Sequence, residues 1–168
     1  MEKTIVIGLG NPFLTDDGVG VKVAYEVEKA LGPNIPENLT ITEASVGGLR
    51  LMEMLVGYDR VILIDAILTK NGGHPGTISR MTLDDLRHIS PTQHSSSAHD
   101  TSLVTALDAG LAMGLHLPTH FTIYAVSVEN ILDFSEEPTP AVAAAIPQVT
   151  QAVLDELRHS VPHTNNQQ

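Results

Sequence analysis

The stretch Thr4-Ile-Val-Ile-Gly-Leu-Gly-Asn-Pro-Phe-Leu-Thr-Asp-Asp-Gly-Val-Gly20 decides the fold. Thr4 to Leu9 is short, almost continuously apolar and rich in β-branched residues, which reads as a strand buried on both faces. Gly8 and Gly10 let the chain turn sharply or approach another backbone closely. Asn11-Pro12 marks a loop, because the residue before proline avoids the helical region. Val19, Val23, Val27 and Leu31 then recur every fourth residue and form one apolar helical stripe. Two adjacent acids, Asp16 and Asp17, stand where that helix should begin. They lie at the carboxyl end of a strand, where open α/β sheets bind ligands.

Simpler roles compete for these residues. Gly8-x-Gly10 after a strand suggests a nucleotide turn, but position 13 is Phe where the third glycine belongs, and proline and two acids would repel phosphate. Asp16 is placed to be the N-cap of the helix, accepting from first-turn amides. One cap needs one carboxylate, so Asp17 remains either a first-turn acid favoured by the helix dipole or a functional group.

Bulk properties narrow the function. The 168 residues are 42% hydrophobic, which suits one domain with a sizeable core. The net charge is −11 and the 9 Lys and Arg are scattered, so nucleic acid and anionic membranes are poor partners. With no cysteine, disulfides, thiolate chemistry and zinc fingers are excluded. No apolar stretch is long enough for a bilayer and no signal peptide is recognisable, so a cytoplasmic protein is expected.

Further along, Leu39 to Ser45 reads as a second strand, Val46 to Val56 as a glycine turn into a short helix, and Arg60 to Ala66 as another core strand ending at Asp65. Thr77 to Met81 suits an antiparallel edge strand, and Thr82-x-x-Asp85 a capping box. Ser90 to Ser97 reads as an exposed, mobile loop. The next helix carries Leu103, Leu107 and Leu111 as its stripe. Thr119 to Val126 is the last strand. Thr139 and Pro140 open the terminal helix, which buries Val142, Ile146, Val149, Val153 and Leu157. The expectation is an α/β fold: a single, mostly parallel twisted sheet of about five strands with helices on both faces. It forms one domain over residues 1–161, with 162–168 a disordered tail.

Three polar residues are not fully explained by secondary structure: Asp17, Asp65 and His99. If the first and third strands are parallel neighbours, both aspartates converge at one sheet edge, and a loop carrying His99 can close over them. Two carboxylates and an imidazole suit a borderline divalent ion such as Ni²⁺, Zn²⁺ or Mn²⁺. Asp65 could equally cap a turn or pair with a buried amide. His99 could be a surface histidine, with His94 its rival ligand. His74, His88, His116 and His120 read as structural or surface residues, and His159 and His163 as solvated.

The residues from Gly8 to Gly20 resemble the opening signature of the hydrogenase maturation endopeptidases, nickel-dependent proteases that mature [NiFe]-hydrogenase large subunits. Ile64-Asp-Ala66, Pro75-Gly76 and Ser97-Ala-His-Asp100 with Leu103 resemble later segments in the same order. The resemblance implies that Asp17, Asp65 and His99 are metal-binding residues and that Gly47 and Gly48 belong to the substrate-binding cleft. It implies removal of a C-terminal extension from the large-subunit precursor after nickel insertion, with the nickel supplied by the substrate. Two segments depart from the family pattern: Glu43-Ala-Ser-Val-Gly-Gly48 stands for Asp-Gly-Gly-Thr-x-Gly, and Val126-Ser-Val-Glu129 lacks the usual Gln-Pro. No Ser or Cys nucleophile with a recognisable elbow is present, so water is the expected attacking group. Two other readings stay open: a metallopeptidase or deacylase with its own tightly bound divalent metal, and a non-catalytic chaperone of the nickel-loaded subunit.

Overall fold

A computed structural model describes residues 1–69, 73–88 and 98–159, and only the backbone of 98–102. Five strands form one sheet: β1 (Thr4–Leu9), β2 (Leu39–Ala44), β3 (Arg60–Leu68), β4 (Ile78–Met81) and β5 (His120–Val128), in the order β2-β1-β3-β5-β4. All neighbours are parallel except the edge strand β4, which runs antiparallel to β5. Every residue of β1 is buried, as its unbroken apolar run requires.

Helices α1 (Val19–Leu31) and α5 (Pro140–His159) cover one face, and α2 (Gly48–Leu55) and α4 (Ala98–Ala112) the other; α3 (Leu83–His88) follows β4. The strands divide their side chains by alternation. Ile62, Ile64 and Ala66 of β3 join Val19, Val23 and Val27 in the α1–α5 core. Val61 and Leu63 join Ile5, Ile7 and Leu9 in the α2–α4 core. Asp65 shares the phase of Val61 and Leu63, so it points to the α2–α4 face.

Several local expectations hold. Thr82 and Asp85 form a reciprocal capping box, the Thr82 amide donating to the Asp85 carboxylate at 2.7 Å and the Asp85 amide to the Thr82 hydroxyl at 3.2 Å. The α5 stripe buries Val142, Val149 and Val153, with Ile146 and Leu157 packed beside them. The α4 stripe is shorter than its spacing suggests: Leu103 and Leu107 are buried, but Leu111 is 57% exposed. A strict four-residue repeat drifts around a 3.6-residue helix, and Ala106 takes a place in the core instead. The segments expected as a mobile loop, 90–97, and as a tail, 162–168, lie outside the described residues, as does His94.

Candidate active site at the carboxyl rim of the sheet

Strand order reverses direction between β1 and β3, because the helix after β1 lies on one face and the helices after β3 on the other. That makes the carboxyl ends of β1 and β3 a topological switch point, where a crevice opens. Asp17 lies on a short 3-10 turn, Thr15–Gly18, between β1 and α1, and this turn packs against β3. The approach is close. A Cβ on Gly10 would sit 1.9 Å from the Asp17 carbonyl oxygen, and one on Gly20 would sit 2.2 Å from the Ile64 carbonyl oxygen. Gly10 also has φ +129°, which a side chain disfavours. Only glycine at both positions lets the turn lie over the strand ends.

The Asp17 carboxylate is partly exposed, and its Oδ2 accepts the Asn11 amide at 2.8 Å, bracing the loop. That bond occupies one oxygen and leaves Oδ1 the candidate to face a ligand. Asp65 is 5% exposed, and its Oδ1 accepts the Ala66 amide at 2.8 Å. Asp65 is not the last residue of its strand: β3 continues to Leu68, which pairs with Val128. It is β1 that ends here, its last pair with β3 being Gly8 with Ile64, so Asp65 lies just past the end of that pairing. The parallel pairing thus brings Asp17 and Asp65 to one rim.

Gly47 and Gly48 reach the same rim. Gly47 is the N-cap of α2, and Gly48, with φ +57°, is its first residue. A groove of about 330 Å³ opens at this rim, lined by Gly10, Asn11, Pro12, Phe13, Glu43, Ala44 and Ser45 but not by Gly47 or Gly48. The first turn of α4 contains His99, whose side chain lies outside the described residues. Its backbone position follows from the far end of the helix. After α4, the His116 carbonyl accepts the Gly57 amide and the His116 ring meets Asp59 at 2.8 Å, at the amino rim. An α4 of 15 residues is about 22 Å long, which carries its start to the carboxyl side. Among the described residues, no three His, Asp or Glu side chains form a group that could hold a metal ion.

Asp16 corrects the expectation of an N-cap. Neither the 3-10 turn nor α1 has a side-chain cap. Asp16 is fully buried and reaches across the molecule. Its Oδ2 accepts the amides of Glu129 and Asn130 at 3.2 and 3.1 Å, and its Oδ1 accepts the Thr139 amide at 2.7 Å. The Thr139 hydroxyl donates to it as well. Asp16 therefore staples the turn after β1 to the loop after β5 and to the start of α5. No local pattern announces this role, since the partners lie more than 110 residues away.

The loop after β5 makes a second long-range contact that no local pattern announces. Leu14 and Ser135 form a parallel bridge, with the Thr15 amide donating to the Ser135 carbonyl and the Ser135 amide to the Phe13 carbonyl. Thr15 holds φ +49°, unusual for a β-branched residue, and donates its hydroxyl to the Asp133 carbonyl at 2.6 Å. Apolar residues in a loop, Ile131-Leu-Asp-Phe134, were the available signal.

A family model described as HycI, hydrogenase maturation protease, matches residues 21–156. Hydrogenase 2 maturation protease from Escherichia coli strain K12 is 30% identical over 162 residues, covering 94% of this chain and 92% of that protein. The hydrogenase expression/formation protein HupD of Rhizobium leguminosarum bv. viciae is 28% identical over 156 residues, covering 93% and 74%. Among solved structures, the hydrogenase maturating endopeptidase HybD from E. coli superposes with a TM-score of 0.77 at 26% identity, covering 95% of this chain and 94% of that one. The [NiFe] hydrogenase maturation protease HycI from Thermococcus kodakarensis KOD1 gives a TM-score of 0.68 at 18% identity, covering 93% and 92%, a likeness of fold.

Proposed function

The chain belongs to the hydrogenase maturation proteases, a family of endopeptidases, and from that premise we propose that it removes the C-terminal extension of a [NiFe]-hydrogenase large-subunit precursor after nickel insertion. What supports this reading is that the turn bearing Asp17 packs against β3, the strand that carries Asp65, at the switch point between β1 and β3. Asp17, Asp65 and His99 are proposed to take hold of the nickel already carried by the substrate. The donor chemistry fits: two carboxylate oxygens and an imidazole suit a borderline divalent ion and leave coordination positions for the substrate's own ligands.

Gripping the substrate there holds its scissile peptide against the rim, which replaces a chance encounter with a fixed geometry. Water is the proposed attacking group, activated by the metal or by a carboxylate at the rim. The groove lined by Gly10 to Phe13 and Glu43 to Ser45 is the proposed path for the extended substrate chain, with Gly47 and Gly48 at the start of α2 proposed to border it. No helix among the described residues is long and apolar enough to cross a membrane. Work on a freshly nickel-loaded precursor places the protein in the cytoplasm under this proposal.

The test replaces Asp17, Asp65 and His99 singly with alanine and follows precursor length by mass spectrometry. Each variant is expected to leave the precursor uncut, with circular dichroism checking that it folds; Asp65→Asn accompanies Asp65→Ala because Asp65 is buried and accepts the Ala66 amide. Full processing by Asp65→Ala would remove the proposal. A stoichiometric metal in the purified chain that resists chelation would favour a resident-metal peptidase instead.

A further inference from the structure

The chain has three phenylalanines, and two of them are turned to solvent at the rim that carries Asp17 and Asp65. Phe13 is 56% exposed and Phe134 88% exposed, with Leu132 beside them at 83%. The Leu14–Ser135 bridge sets Phe13 and Phe134 in register on two adjoining segments. They are neither frayed ends nor a random loop. Thr15 is held at positive φ, Asp16 is buried as a carboxylate with amides and a hydroxyl around it, and Asn130 closes its own turn onto the amides of Leu132 and Asp133. Backbone strain and a buried charge are unfavourable terms, and here both maintain the presentation of apolar side chains to water. Such an arrangement marks a binding surface.

We infer that Phe13, Leu132 and Phe134 form a docking ridge for an extended segment of the precursor that carries an apolar side chain flanked by basic residues. The charge around the ridge selects that occupant. Glu129, Asp133, Glu136 and Glu137 surround it, and no Lys or Arg occurs between positions 121 and 157. An acidic segment would be repelled there, and a basic one attracted. The ridge is continuous with the candidate active rim through the turn that bears Asp17, so one extended chain can touch both. The inference rests on the endopeptidase reading of that rim and adds the site that grips the substrate away from the cut.

The experiment measures steady-state processing of the nickel-loaded large-subunit precursor that the wild-type chain cuts. It compares wild type with Phe13→Ser/Phe134→Ser, with Leu132→Ser and with Met113→Ser, an exposed residue of the α4 end far from the rim. Loss of an aromatic anchor in a binding surface raises KM by about tenfold or more. The double variant is expected to show that rise with kcat within about twofold of wild type and an unchanged melting temperature, since catalysis itself is not touched. Leu132→Ser shifts KM in the same direction, and Met113→Ser does not. Glu136→Gln/Glu137→Gln raises KM in the same direction, because it removes the charge that attracts a basic segment. An unchanged KM in the folded double variant overturns the ridge, as does a fall confined to kcat. Wild-type self-association that is abolished by Phe134→Ser also overturns it, by assigning the ridge to a second copy. Retained activity in Asp65→Ala, with KM raised in the double variant, instead overturns the reading of the metal-facing rim and leaves the ridge standing.

Discussion

Replacing Asp16 with asparagine separates a staple from a cap. A lost N-cap costs about 1 kcal/mol. Asp16 accepts three backbone amides and the Thr139 hydroxyl from a fully buried position. Hydrogen bonds to a charged group are worth roughly 1.5–3 kcal/mol each, and they do not add fully because the loop after β5 is partly open to water. The loss is therefore about 3–5 kcal/mol, a large share of the roughly 5–15 kcal/mol that holds a domain together. Asparagine offers no refuge. Both carboxylate oxygens accept, so one of them becomes an NH₂ group aimed at a donor. For a chain of this length each kcal/mol shifts the midpoint by about 2–4 °C, which gives a fall of about 10 °C in thermal melting followed by circular dichroism. The same variant should expose residues 129–139 to faster hydrogen exchange before the sheet opens. A midpoint within about 2 °C of wild type would show that Asp16 contributes no more than an ordinary cap and would refute the staple.

Two further predictions follow from other parts of the molecule. Burial would raise the Glu156 carboxyl, but hydrogen bonds from Thr122, Tyr124, Arg60 and Arg80 outweigh it and pull the group from 4.5 to about 2. Because the folded value is depressed, this stability is present above about pH 4.5 and is lost as pH falls toward 2; for a side chain 12% exposed it is on the order of 3 kcal/mol. Denaturant titrations at pH 6 and at about pH 2.5 should show wild type losing that much more than Glu156→Gln across the interval; equal losses would contradict it. Gly10→Ala places a methyl group 1.9 Å from the Asp17 carbonyl, so it should displace Asp17 and abolish precursor processing even where the protein still folds, and unimpaired cutting would count against the tight seat of that turn.

The parts of this fold that are legible in the sequence are those governed by local rules. β1 and β3 announce themselves because strands buried on both faces need unbroken apolar runs. The capping box and the α1 stripe depend on residues three or four positions apart. Asp65 is legible as an oddity, an acid in an apolar run, but its true setting depends on β1 stopping at Leu9 while β3 and β5 continue together. Asp16 is the opposite case. An acid ahead of a helix looks the same whether it caps that helix or holds a loop 113 residues further on, and tertiary structure alone decides. The loop after β5 is harder still, since Leu132 and Phe134 read as interior residues by type and are turned outward by a staple that sequence does not display.

If the carboxylates at the β1–β3 switch point work on nickel brought by the substrate, cutting requires that nickel. The most direct measurement incubates the wild-type chain with nickel-loaded and nickel-free large-subunit precursor and records the intact mass of each. Only the loaded precursor is expected to lose its C-terminal extension. Equal cutting of both forms, or a loaded precursor bound at full length without any loss of mass, would contradict it.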